Sequence, residues 1–372
     1  MDVVELTKAL VKIDTRNPPG DTSQAVDFLQ NFFSSFETRV YEKDGKENLL
    51  VEIGRGKKTL MLTSHLDTVP ARDELLNPVV VNGKLFGRGS CDAKGCVSAI
   101  CSAVEEIEPE FNLKLAFTAD EEVGGKNGLK VVFEKEKADA VVIGEPTGCN
   151  SVMVLQGSVL ALDISFNGKD GHTASQNPCE GAVFKSASFI VEIAEKFKNL
   201  KGNYEHYKSF FASLGVDFVI RSWEAVFNPS MIRGGLKRNV VAPSCDLYAD
   251  VRFAPWIGVD EILKFFERED LEVKVSGFLP SYGILADSVS LESDLKLLRI
   301  MFEAIREENL NPRAIFSLGV GDSRHVRKFG VPAFYIGPDG GNLHSENEFV
   351  FVSELRRMTK IYRNIIEKFK MF

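Results

Sequence analysis

Paired cysteines, long apolar runs and a surplus of basic residues are all missing from this sequence of 372 residues. Six cysteines are present (Cys91, Cys96, Cys101, Cys149, Cys179 and Cys245), but no two form a Cys-x-x-Cys pair. That spread argues against a thiolate zinc site and against a disulfide framework, and fits small buried side chains in a reducing compartment. No apolar stretch approaches the ~18 residues of a membrane-spanning helix. The N-terminal Met-Asp-Val-Val-Glu-Leu carries acids where a secretory leader needs positive charge. The expected location is therefore the cytoplasm, with no membrane partner. Acidic residues outnumber basic ones by 53 to 45, a net charge of −8, which excludes a general nucleic-acid binder built on a basic surface. A local basic run, Arg324, His325, Arg327 and Lys328, reads as a solvated helix face. No Gly-Lys-Ser/Thr phosphate loop occurs. Gly87-x-Gly89 lacks the third glycine of a dinucleotide fingerprint, and Asp92 takes its place.

With 44% hydrophobic and 26% charged residues, the composition is that of a globular protein, and the length suggests two domains. Amphipathic helical patterns at Glu5–Ile13, Ser23–Phe36, Lys94–Ile107 and Gly128–Lys135 alternate with short apolar runs at Asn48–Ile53, Thr59–Thr63, Leu113–Thr118 and Ala140–Ile143. Strands apolar on both faces and separated by helices predict a mostly parallel sheet covered on both sides. Near Gly157 the pattern changes: Leu160, Leu162, Ile164 and Phe166 alternate with polar or small residues, so one face is wet. A helix at Ala182–Phe197, strands at Asp217–Val226 and Asp246–Phe253, a helix at Val259–Glu267 and a strand at Leu271–Phe278 complete a β-α-β-β-α-β order, the ferredoxin-like motif. The expected organisation is an α/β catalytic domain, 1–157 and 281–372, interrupted by an inserted ferredoxin-like lid or dimerisation domain, 158–280.

Residues that can bind metal sit at the predicted strand exits. His65 follows Thr59–Thr63, Glu121 and Glu122 follow Leu113–Thr118, Glu145 follows Ala140–Ile143, and His344 follows the apolar run Ala333–Ile336. Asp92 lies in the glycine-rich turn Gly87–Gly95 ahead of a helix. In an open α/β sheet such exits share one edge, where ligands bind. Two histidines and four carboxylates cannot crowd there uncompensated, because like charges at short range oppose ionisation. Divalent cations resolve that conflict. Taken singly, a histidine is more often a satisfied polar group than a ligand. Only five occur here, however, and two of them fall at strand exits.

The segments Ser64-His-Leu-Asp-Thr-Val-Pro70, Gly87-Arg-Gly-x-x-Asp-x-Lys-Gly95, Ala119-Asp-Glu-Glu-Val-Gly124, Gly144-Glu-Pro-Thr147, Gly171-His-Thr-Ala174 and His344-Ser-x-Asn-Glu348 together resemble a metallopeptidase family. It is the one that contains acetylornithine deacetylase, succinyl-diaminopimelate desuccinylase, aminoacylase and the glutamate carboxypeptidases. The resemblance runs over nearly the whole chain in the same order. It implies Asp92 bridging two divalent metal ions, zinc by donor type with cobalt or manganese able to substitute. His65 and Glu145 would complete one position, Glu122 and His344 the other. It further implies Glu121 as general base, Asp67 orienting His65, a cis peptide after Asp92, and His172 as the oxyanion donor. Arg252, Asn239 and Arg324 would hold the substrate's carboxylate, with arginine supplying its planar fork.

The expected function is hydrolysis of the amide of a small N-acyl amino acid. A dipeptidase or carboxypeptidase is the alternative within the enzyme class. Glu145 resembles the deacylase and glutamate carboxypeptidase branches, whereas several dipeptidase relatives carry Asp there. A non-catalytic binder of amino-acid derivatives would lose the base or a ligand, and here all six residues are present. In the family the insert forms a homodimer, and its histidine enters the partner's site. Whether His172 serves its own chain or the partner's stays open.

Overall fold

The computed structural model describes residues 1–372, which form two compact units. The first comprises Met1–Val154, Gly283–Ile315 and Gly321–Phe372, and the second comprises Leu155–Tyr282 with the short segment Phe316–Val320.

In the first unit, four parallel strands occupy the middle of the sheet: Asn112–Thr118, Thr59–His65, Ala140–Ile143 and Ala333–Tyr335, side by side in that order. Leu60, Met61 and Leu62 are buried in succession, as are Leu115, Ala116 and Phe117, which requires cover on both faces of the sheet. Helix Lys94–Ala103 packs on Thr59–His65 and is itself covered by helices Val3–Lys12 and Val352–Lys368. Leu129, Val132 and Phe133 of helix Leu129–Lys135 pack with Met61, Val141 and Ile143. The α/β sheet flanked by helices is thus as expected, but its margins are antiparallel. Lys46–Ile53 runs against Asn112–Thr118 and forms a hairpin with Glu37–Lys43. The reason is local: Asp44 and Gly45 link those strands with φ of 50° and 74°, the two-residue turn whose twist suits a hairpin.

Register sets the site. His65 lies opposite Thr118, Thr63 opposite Ile143, and Tyr335 opposite Ile143. The carboxyl ends of the four parallel strands are therefore level, and the loops that follow them open on one edge.

The second unit holds an antiparallel sheet ordered Ala225–Gly234, Ser244–Phe253, Ser158–Asn167, Leu271–Leu279, the ferredoxin-like arrangement. Leu160, Leu162, Ile164 and Phe166 form one core with Phe189, Ile193 and Phe197 of helix Ala182–Lys198. The expected strand Asp217–Val226 is instead two, Asp217–Ile220 and Ala225–Gly234, preceded by an additional helix, Glu205–Ser213. Aromatic packing accounts for that departure: Phe218 stacks on Phe211 at 5.4 Å and on Tyr207 at 5.6 Å, drawing the short strand onto the helix. No helix in either unit is long and apolar enough to cross a membrane.

Candidate metal centre

His65 is the last residue of its strand, and its ring is fixed from behind: Nδ1–H donates to the carbonyl oxygen of Asp67 at 2.9 Å. Its Nε2 faces outward, 3.1 Å from Asp92 Oδ1 and 3.6 Å from Glu145 Oε1. The other oxygen of the same carboxylate, Asp92 Oδ2, lies 3.1 Å from His344 Nε2, which is also 3.4 Å from Glu122 Oε2. Each oxygen of Asp92 thus faces a different imidazole, and each imidazole has a further carboxylate beside it. The peptide from Asp92 to Ala93 is cis.

Glu121 and Glu122 leave a single turn of helix bounded by two left-handed residues, Asp120 at φ 68° and Gly124 at φ 109°. The Asp67 carboxylate holds this turn: Oδ1 accepts from Glu121 N–H at 3.1 Å, and Oδ2 from Glu122 N–H at 3.3 Å and from Asn17 Nδ2 at 3.0 Å. Asp67 therefore meets the His65 ring most closely through its main chain, its carboxylate being 3.6 Å from Nδ1. Gly125 closes the turn where no side chain fits, since a Cβ there would lie 2.3 Å from Asp322 Oδ1.

Crowding of acids is visible in the protonation of the cluster. Burial, reinforced by Asp322, Asp92 and Glu122 against the opposing effect of His65, pushes Glu121 up to about 8. Glu145 is raised well above the carboxylate range by burial, with Asp92 and Glu121 adding. Hydrogen bonds to Asp92 and Glu122 push His344 up to about 10. Asp92 itself goes the other way: burial opposes its charge, and hydrogen bonds from His344 and His65 overcome that opposition and hold it low. Without cations the cluster retains protons between its carboxylates and imidazoles, and divalent ions would replace them.

The donor set suits such ions. Nε2 atoms and carboxylate oxygens converge without a thiolate, and donor atoms of His65, Asp92 and Glu122 all lie within 4.8 Å of one another. Glu122 Oε1 is buried and has no hydrogen-bond partner. Neighbouring donors are 3.1 to 3.6 Å apart, against the roughly 3.3 Å edge of a zinc tetrahedron with N and O ligands at about 2.0–2.1 Å.

The sequence reading missed a buried pair behind Asp92. Arg88 and Glu348 are ion-paired with almost no exposure, and Glu348 Oε1 accepts from the N–H groups of Cys91 and Asp92 at 3.0 Å each. An arginine inside the glycine-rich turn and a glutamate in the closing motif were the available signals. Asp322 was missed too; it is buried, and burial pushes it up to about 6. The basic run beside it is only partly a solvated face. Arg327 is 1% exposed and bonds bidentately with both Asp287 and Asp294. Burial and Arg324 push His325 down to about 3, so that it is neutral.

Of the residues expected to hold a substrate, Arg324 is in the first unit, where it donates to the carbonyl oxygens of Gly321 at 2.8 Å and Gly124 at 2.7 Å. His172, Asn239 and Arg252 belong to the second unit. His172 pairs with Val240 across a two-stranded ribbon, and the carbonyl of Asn239 accepts from Thr173 N–H at 3.3 Å, so the two residues are neighbours on an exposed segment. Arg252 lies along Asp250, with Nε 3.0 Å from Oδ1.

The sequence model of peptidase family M20/M25/M40 matches residues 61–368. A tripeptidase from Staphylococcus aureus superposes with a TM-score of 0.74 at 21% identity, covering 98% of this chain and 97% of that one. The aminopeptidase PepT from Bacillus cereus gives 0.72 at 18% identity, with 98% and 97% covered. The YXEP protein of Bacillus subtilis, described as a dinuclear metal-binding peptidase, gives 0.68 at 12% identity over 100% and 98%.

Proposed function

This chain belongs to peptidase family M20/M25/M40 and is a metal-dependent hydrolase of amide C–N bonds; we propose that its substrate is a small N-acyl amino acid, cut with two divalent ions at the centre described above. The observation that carries this reading is Asp92, whose two oxygens each meet one imidazole at 3.1 Å. One ion would be held by His65, Glu145 and Asp92 Oδ1, the other by Glu122, His344 and Asp92 Oδ2, with zinc the best match and cobalt or manganese substitutes. When bound, the ions supply Lewis acidity, lowering the pKa of water from 15.7 toward about 7 and polarising the amide carbonyl.

The rest is the work of side chains. Glu121 accepts the proton of the attacking water and passes it to the departing nitrogen. Asp67 keeps Glu121 in place through the N–H bonds of the turn. His172 donates to the developing oxyanion. Arg252, Asn239 and Arg324 bind the substrate carboxylate; Arg324 uses two of its five N–H donors on carbonyls and keeps the rest. The protein works as a homodimer through the second unit.

A second reading, di- or tripeptide hydrolysis, is supported by the names of the superposable structures, a tripeptidase and an aminopeptidase among them. Glu145 favours the deacylase reading. The deciding experiment is a panel of N-acetyl and N-succinyl amino acids, dipeptides and tripeptides, assayed with zinc, cobalt and manganese. The protein is expected to carry about two ions per chain, to lose activity with a chelator, and to turn over the N-acyl substrates fastest. Full activity in demonstrably metal-free protein would refute the reading, and ligand binding without turnover of any member would favour a pure binding protein.

A further inference from the structure

We propose that Glu348, locked by Arg88, is a positioning residue that sets Asp92 against His344 and so governs how tightly the Asp92–Glu122–His344 position holds its ion. The inference rests on the two-metal reading given above.

The other ligands have their own supports. His65 is held in the strand ladder, Glu145 stands two residues beyond one, and the Glu121–Glu122 turn hangs on Asp67. Asp92 and His344 lack that backing. Both sit in irregular segments 252 residues apart, and the His344 side chain is 54% exposed. The antiparallel pairing of Lys84–Phe86 with Phe349–Phe351 brings the two segments side by side, and one buried assembly joins them next to the ligands. Glu348 Oε1 takes both N–H groups at the head of the Asp92 turn, from Cys91 and from Asp92. Glu348 Oε2 accepts from Arg88 Nη1, and Arg88 Nη2 donates to the carbonyl of Ser345, the residue after His344, at 3.1 Å. Gly87 N–H closes the ring on the Glu348 carbonyl at 3.2 Å. The two segments are thereby tied by five hydrogen bonds within a few residues of both ligands.

Packing alone does not call for such a device. A buried ion pair is costly to desolvate, and well-packed apolar residues of similar volume stabilise as well or better. A carboxylate here does what an apolar residue cannot: one oxygen gathers two N–H donors while the other is fixed in rotation by a guanidinium. The direction of the Asp92 carboxylate follows from that of its own backbone.

The test is calorimetric titration of metal-free protein with zinc, beside visible spectra of the cobalt-loaded form and melting curves. Three proteins are compared with wild type: Glu348→Ala, Glu348→Gln, and Glu348→Gln combined with Arg88→Met. Glu348→Ala is expected to weaken one of the two equivalents by about 10–100-fold and the other by less, and to alter the cobalt spectrum. Glu348→Gln turns an amide N–H₂ toward Arg88 or toward the Cys91 and Asp92 N–H groups, and should weaken the same equivalent. Adding Arg88→Met removes the clash of donors and should recover part of the affinity and the spectrum, short of wild type because the tie to Ser345 is lost with the guanidinium. A purely structural role predicts lower melting temperatures with both zinc affinities and the cobalt spectrum unchanged, which would overturn the proposal. Should Glu348→Ala fail to fold, wild-type zinc binding by Glu348→Gln is enough to overturn it. Absence of zinc binding by the wild-type protein would instead bring down the two-metal reading itself.

Discussion

Glu121 and Glu122 are adjacent in sequence, yet the fold gives them different company. Glu122 Oε2 faces His344 at 3.4 Å, while Glu121 is half-buried beside other acids and raised to about 8. Replacing Glu121 by Gln keeps its size and removes only its ability to accept a proton. Turnover is expected to fall by at least ~10²-fold with metal content intact, measured by steady-state kinetics beside metal analysis. If the Gln variant lost metal while Glu122→Gln kept it, the two roles would have to be exchanged. That His65, Asp92, Glu122, Glu145 and His344 lie together was readable because strand exits share an edge and the register is level. The partners behind them were not readable. Nothing in Asp67 announces that its carbonyl meets the imidazole while its carboxylate holds a turn, because that division depends on how the loop bends. The same holds for Arg327: charge in a run suggests a wet face, and only the approach of Asp287 and Asp294, 40 and 33 residues earlier, makes it a core residue.

Among elements, the helix Ser323–Arg327 is short but heavily anchored. Ser323 N–H donates to Tyr335 Oη at 2.6 Å, Arg324 grips the Gly124 carbonyl at 2.7 Å, and Arg327 is clamped between two carboxylates near the start of helix Leu291–Glu307. Arg324 connects this element directly to the turn that carries Glu121. Removing the buried guanidinium leaves Asp294, already raised by burial, without its ion partner, and Asp287 with only its N–H bonds from Gly283 and Val289. Arg327→Met is therefore expected to cost about 3–5 kcal/mol in a urea unfolding experiment, and a loss under about 1 kcal/mol would show the carboxylates to be compensated in another way. Most helices and strands could be read from periodicity; those that escaped did so for tertiary reasons. The Glu37–Lys43 strand depends on its Asp44–Gly45 hairpin, and helix Glu205–Ser213 depends on aromatic stacking with Phe218.

For the whole molecule, whether His172 serves the centre of its own chain or that of a partner has a direct test. Glu121→Ala and His172→Ala are prepared separately, shown to be nearly inactive, and mixed under conditions of subunit exchange. If His172 serves the partner's centre, each mixed dimer contains one intact site, and a random equal mixture recovers about a quarter of wild-type sites. No recovery despite demonstrated exchange would mean that each chain is self-sufficient. The link between Glu348 and Asp92 bears on a different matter, the order in which the protein is made. The two residues are 256 positions apart. At a synthesis rate of about 5–20 residues per second, roughly 10 to 50 seconds pass between the emergence of the first and that of the second. Through that interval the ribosome presents His65 and Asp92 with neither His344 nor the buried carboxylate that holds the Asp92 turn. The position that needs His344 is therefore completed only after the segment carrying His344 and Glu348 has been made, whereas His65, Asp92 and Glu145 are all present about 200 residues of synthesis earlier.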